Sequence, residues 1–236
     1  MTPNIEYNIV GETTQVVEIA LRKNQLVRAE PGAMLYMEEG IEMLIGSGAG
    51  VLSGFKRMVT GDAFFITSFI NKSAHEKKHL ALSAPYSGKI MMIDLKLFGG
   101  TILCQKDSFL CSASSVEIKM EWTRKIGSGF FGGEGFVLQR LSGEGFVFLQ
   151  AGGTLLERDL KEGETLQIDT GSLVAMQPTI KFEVQFVGGF KNILFGGEGL
   201  FLTKLTGPGK LFLQSVPFSR MVDRITMASL SSKNKK

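Results

Sequence analysis

Residues 131–150, "FGGEGFVLQRLSGEGFVFLQ", and residues 195–214, "FGGEGLFLTKLTGPGKLFLQ", align without a gap at an offset of 64. Gly132, Gly133, Glu134 and Gly135 fall on Gly196, Gly197, Glu198 and Gly199. Arg140 falls on Lys204, Gly143 on Gly207 and Gln150 on Gln214. The register continues upstream: "DSFLCSA" from Asp107 lies on "GSLVAMQ" from Gly171, and "VEIKMEW" from Val116 on "IKFEVQF" from Ile180. A weaker copy precedes both. "PGAMLYM" (31–37) matches the same strand, "IEM" (41–43) matches "VEI" (116–118), and "VTGDAFFIT" (59–67) matches "LSGEGFVFL" (141–149). A chain with such an internal period folds as tandem units that bury one another's faces, because one unit alone has exposed edges and half a core.

The units read as β. In "VEIKMEW", Val116, Ile118, Met120 and Trp122 alternate with Glu117, Lys119 and Glu121, the period of a strand with one apolar face. "LSGEGFVF" and "LTGPGKLF" carry glycine turns between apolar runs, a hairpin signal. With 29 glycines and 6 prolines, the composition favours many turns and few rigid kinks. Helical periodicity is expected only at the end, where "FSRMVDRITMASL" places Met221, Val222, Ile225 and Ser229 on one face of a short helix from Ser219. The expected fold class is all-β, with tandem repeated β-hairpin units forming a sandwich or solenoid-like body. The first unit spans 1–105 with an inserted hairpin at about 70–94, the second 106–169 and a partial third 170–215. Residues 216–236 form the short helix and a solvated tail, "SSKNKK", whose few lysines would hold a membrane surface only weakly.

Bulk properties exclude some classes. A net charge of +3 is too slight for a nucleic-acid footprint. The longest apolar runs fall far short of a bilayer span, so no transmembrane helix is expected. "MTPNIEYNIVGETTQ" has neither a secretory nor a mitochondrial leader pattern, so the expected compartment is the cytoplasm.

The segment "AHEKKH" (74–79) spells the His-Glu-x-x-His signature of zinc metalloproteases. On a helix it would put two imidazoles one turn apart beside a general base. Here it lies in a polar stretch entering "HLALSA" and "KIMMID", two strands about a "PYSG" turn. Lys77 and Lys78 inside the motif oppose a divalent cation, and the chain has 2 histidines in all, so a third imidazole ligand is impossible. A solvated charged loop is the simpler reading. Cys104 and Cys111, spaced C-x6-C, fit no metal or redox pattern. The third copy has Ile168 and Ala175 at these positions, which makes the cysteines small core hydrophobes. No cofactor is expected, and no catalytic or metal-ligating residue is assigned.

The glycine-rich loops "GSGFFGGEG" and "FGGEG" lack the Gly-Lys-Ser/Thr of a phosphate loop, and a strand follows them, not a helix. Phe130, Phe131, Gly132, Gly133, Phe195, Gly196 and Gly197 are the candidate interaction residues. Core packing, self-association, and a membrane or ligand contact are the three readings open for them. Glu134 and Glu198, with Arg140 and Lys204, recur at matching positions and read as solvated turn residues or as ion pairs between repeats.

The segments "PGAML", "GFKRMVTGDAFFIT", "GFFGGEGFVLQRLSGEGFVFLQAGG" and "DTGSLVAM" together resemble the family named for the yeast altered-inheritance-of-mitochondria protein, which includes prokaryotic domains of unknown function. The resemblance covers nearly the whole chain. It implies tandem β units similar to the tryptophan RNA-binding attenuation protein and a ring-like, trimeric assembly. It brings no catalytic residues. The mitochondrial inner-membrane role of the fungal member does not transfer to a chain without a transit-peptide pattern.

The expectation is a non-enzymatic, homo-oligomeric, trimeric β scaffold or interaction protein. Its first partner is itself, then another protein or a membrane surface, with nucleic acid not expected. Two alternatives stay open: a small-ligand or RNA-binding module, and a zinc metallohydrolase acting through the "HEKKH" segment.

Overall fold

The structure, a computed structural model, describes residues 5–47, 65–74, 77–124, 136–186, 201–222 and 224–225. Nineteen strands run through these residues. After β1 (Glu6–Val10) come three sets of six. The first is β2 (Val16–Arg22), β3 (Leu26–Ala29), β4 (Met34–Met37), β5 (Ile41–Ser47), β6 (Phe65–Asn71) and β7 (Lys77–Ser83). The second is β8 (Gly88–Asp94), β9 (Thr101–Gln105), β10 (Phe109–Ala113), β11 (Glu117–Arg124), β12 (Phe136–Ser142) and β13 (Phe146–Gly152). The third is β14 (Leu155–Leu160), β15 (Thr165–Asp169), β16 (Leu173–Met176), β17 (Lys181–Phe186), β18 (Phe201–Thr206) and β19 (Gly209–Gln214). Alternation sets the faces. In β2, Val17, Ile19 and Leu21 are fully buried while Arg22 is exposed.

The sheet orders are β1-β2-β7-β4, β5-β6-β3-β10-β13-β8, β11-β12-β9-β16-β19-β14 and β15-β18-β17. One rule generates all four. Within each copy the first, sixth and third strands form one ribbon, and the second, fifth and fourth form another. Consecutive copies are then fused edge to edge. The second strand of one copy pairs antiparallel with the third strand of the next: β3 with β10, where Ala29 opposes Cys111, and β9 with β16, where Cys104 opposes Ala175. The third strands share a further mark. Their register slips between Met34 and Tyr36, between Phe109 and Cys111, and between Leu173 and Ala175, a bulge at one place in every copy.

This order corrects three readings of the sequence. The strands expected at "HLALSA" and "KIMMID" exist as β7 and β8, but they belong to different sheets, so among the described residues they do not form the inserted hairpin expected at 70–94. Likewise "LTGPGKLF" is a corner and not a hairpin, because β18 lies in the three-stranded sheet and β19 in the six-stranded one. The hairpin of each copy joins its fourth and fifth strands, as in β5–β6 and β17–β18. Finally, β6 pairs with β5 and β3, the place β12 and β18 hold in their copies, so "VTGDAFFIT" does not correspond to the later "LSGEGFVFL". A shift of one strand in an alternating pattern leaves the apolar periodicity intact, which is why the sequence match misleads.

Two compact units result: Met1–Gly100 with Phe109–Ile118 and Leu141–Gln150, and Thr101–Ser108 with Lys119–Arg140 and Ala151–Lys236. Because sheets are shared, these units cut across the copies. In the first, Tyr7 of β1 meets Phe148 of β13 edge to face, with ring centroids 4.9 Å apart. In the second, Phe136 of β12 stacks on Phe182 of β17 at 5.5 Å, over a core of Leu138, Leu160, Ile168, Leu173 and Leu205. Residues 218–222 and 224–225 are helical, as expected near Ser219, with Met221 and Ile225 left exposed.

Candidate functional site

The described part of the His-Glu segment, Lys77 to His79, is strand and not the helix a zinc protease needs. His79 lies on β7, opposite Ala20 of β2. Its backbone N–H donates to Glu38 Oε2 at 2.9 Å, and its Nδ1 lies 3.2 Å from Glu38 Oε1. The His79 backbone N–H, then its ring, hold the Glu38 carboxyl below the usual carboxylate range. Lys77, also on β7, pairs with Glu6 at 2.6 Å. The polar loop expected here is therefore a strand from Lys77 onward, while His75 and Glu76 lie outside the described residues. Among the described residues no group of three His, Cys, Asp or Glu side chains converges as a metal site.

Both cysteines are fully buried. Burial pushes the Cys111 thiol well above its ordinary value, away from the thiolate that nucleophilic chemistry requires. Cys104 lies against Gln139, its Sγ 4.0 Å from the amide Oε1. Arg140 finds its partner among the described residues within its own copy. It binds Glu121 of the neighbouring strand in its own copy, Nε to Oε2 at 2.7 Å and Nη2 to Oε1 at 2.6 Å. Lys204, its counterpart, stands opposite Glu183. The candidate residues Phe130, Phe131, Gly132, Gly133, Phe195, Gly196 and Gly197, with Glu134 and Glu198, lie outside the described residues.

A feature that periodicity alone misses is β4. Its four residues, Met-Leu-Tyr-Met, are all exposed, with Leu35 at 57% and Tyr36 at 42%. Every residue of its counterparts β10 and β16 is buried. The difference has a topological cause. β10 and β16 lie between two strands, whereas β4 ends its sheet. Within that sheet Tyr36 donates its phenol to Glu18 Oε1 at 2.7 Å, reaching over Ala81, and the bond raises the phenol above its usual value. At the other end of the array β15 closes the three-stranded sheet, with its outer edge likewise unpaired among the described residues. The signal was present in the sequence: "MLYM" is apolar on both faces, which suits a covered strand and not an edge.

Four antiparallel sheets, with β3 paired to β10 and β9 to β16, define an all-β protein. The family described as "Mitochondrial biogenesis AIM24" matches residues 7–216, and the chain belongs to that family. Protein SPYM3_0169 from Streptococcus pyogenes, known from an X-ray crystal structure, is similar in fold, with a TM-score of 0.77 at 23% identity over 95% of this chain and 100% of that one. No curated protein matches the chain. No helix among the described residues is long and apolar enough to cross a membrane.

Proposed function

We propose that this AIM24-family protein is a non-enzymatic β scaffold that assembles with copies of itself, as a trimer. The observation that carries this reading is the exposed apolar strand β4, at positions buried in the second and third copies. Leaving such a strand open costs the hydrophobic stabilisation its counterparts gain and invites pairing. The ionisable groups support the same reading. Glu38 is held by His79, Glu121 is held by Arg140, and the cysteines are buried, so each is engaged in structure.

The test is mass in solution, by light scattering or sedimentation at micromolar concentration. Three times the chain mass of 25.8 kDa is the expected result, and a strict monomer refutes the proposal.

A further inference from the structure

We propose that β15 of one chain adds to the open edge of β4 in a second copy, repeating between chains the strand pairing that joins copies within a chain. This rests on the self-assembly reading above and names its surface, its partner and its register.

The edges of this protein are of two kinds. First and fourth strands lie at sheet edges in every copy, apart from β2, which β1 covers. Several of these recurring edges carry charges along the strand: Glu157, Arg158 and Asp159 on β14, Glu117, Lys119 and Glu121 on β11, Lys181 and Glu183 on β17. Charged side chains are a standard protection against edge-to-edge pairing. The edges of β4 and β15 are of the other kind. They are a third and a second strand, which pair with each other wherever two copies meet. Among the described residues these two edges are open, as the third strand of the first copy and the second strand of the last. β4 carries no charge and no proline.

Both sides of the missing pair are fixed in register by contacts inside the chain. On β4, Tyr36 opposes Ala81 just after the bulge, as Cys111 opposes Phe148 and Ala175 opposes Phe212. On β15, Ile168 opposes Thr203, as Ala29 opposes Thr67 in the first copy. Tyr36 thus holds the place of Cys111 and Ala175, and Ile168 the place of Ala29 and Cys104. Since Cys111 opposes Ala29 and Ala175 opposes Cys104, Tyr36 opposes Ile168 in the joined chains. One residue along, Ser112 opposes Arg28, so Met37 opposes Gln167. The backbone bond at the end of the ladder, Glu30 N–H to Leu110 C=O at 2.9 Å, has its counterpart in Asp169 N–H to Leu35 C=O. Such a head-to-tail contact uses different surfaces on the two partners, so it closes a ring when its rotation allows and extends otherwise.

Cross-linking tests the register. Met37→Cys and Gln167→Cys are made as separate single variants, both at exposed positions. Opposed strand residues lie within disulfide reach, and Cys104 and Cys111 are buried away from the reaction. Mixed and oxidised, the two variants are expected to give a reducible band of twice the chain mass. Met37→Cys mixed with Thr165→Cys, two residues out of register, is expected to give little. Leu35→Lys, at a site exposed in the single chain, is expected to reduce the assembled mass to that of one chain. A wild-type oligomer that gives no in-register band and is unmoved by Leu35→Lys overturns the pairing and leaves self-assembly standing. A monomeric wild type overturns both. A chain carrying both cysteines that closes only on itself, at single-chain mass, shows the edges meeting within one chain and also overturns the proposal.

Discussion

The Gln214 carboxamide spans two glycines: its Oε1 accepts from Gly152 N–H at 2.8 Å and its Nε2 donates to Gly171 C=O at 2.9 Å. All of this is buried, and the backbone at Gly152 passes so close to Val216 that an added Cβ would collide with the Val216 carbonyl. A buried backbone group that loses its partner costs about 1–3 kcal/mol. Gln214→Leu removes two partners at once while keeping volume. The expected outcome is a loss of about 2–4 kcal/mol in chemical denaturation of the full chain. Gln214→Glu is expected to lose at least as much, because it sets a buried carboxylate oxygen against the Gly171 carbonyl.

Arg140 and Glu121 form a bidentate pair in which each side chain is about a third exposed. The Arg140 hydrogen bonds hold the Glu121 carboxyl below its usual range. A carboxyl with a depressed native value stabilises the fold above its unfolded-state value, and the contribution is lost as pH falls through the native one. Stability of the wild type is therefore expected to drop between about pH 5 and pH 3. Arg140→Gln is expected to flatten that part of the curve, with a coupling energy of about 0.5–1 kcal/mol in a double-mutant cycle with Glu121→Gln, as solvent screening dictates. An unchanged acid limb in Arg140→Gln would contradict the assignment.

The all-β character of this architecture is legible in the alternation and glycine turns of the sequence. Cys104 and Ile168 are each the fourth residue of their strands, and Cys111 and Ala175 each follow the bulge of theirs, so the positions matched at an offset of 64 are equivalent and all four are buried. What the sequence concealed was which strands pair. "LTGPGKLF" has the local chemistry of a hairpin, yet its two strands enter different sheets. Local pattern reports which face of a strand is apolar and says nothing about its lateral neighbour, because backbone hydrogen bonds are the same with any partner. The apolar β4 was legible only by contrast with its copies. The glycine and phenylalanine loops expected to carry interactions fall outside the described residues.

His79 gives a direct check on metal binding. Its ring is already beside Glu38, and its strand also carries Lys77 and Lys78, whose charges oppose a divalent ion. Protein purified without a histidine tag is expected to hold zinc well below one ion per chain, and His79→Ala to leave that content unchanged. Stoichiometric zinc that is lost in His79→Ala would restore the hydrolase reading.

The corner between β18 and β19 offers a test of why its glycines are there. Gly209 has φ +144°, and a Cβ on it would lie 2.7 Å from Thr179 Oγ1 and 3.0 Å from Ile180. The corner cannot move aside, because Gln177 brackets Lys210, accepting from its N–H at 2.7 Å and donating to its carbonyl at 2.9 Å. Gly145, at the matching corner of the second copy, has φ +135° and 3.0 Å contacts to Ala113 and Ser115. Gly32 has φ +84° with nothing within 4 Å of the added atom. Conformational strain alone costs about 1–2 kcal/mol in the left-handed region, and a forced overlap adds about 1–3 kcal/mol more. Gly209→Ala and Gly145→Ala are therefore expected to destabilise clearly more than Gly32→Ala, in thermal and denaturant unfolding alike. Equal losses at all three sites would mean that backbone freedom, and not close approach at the corner, is what these glycines supply.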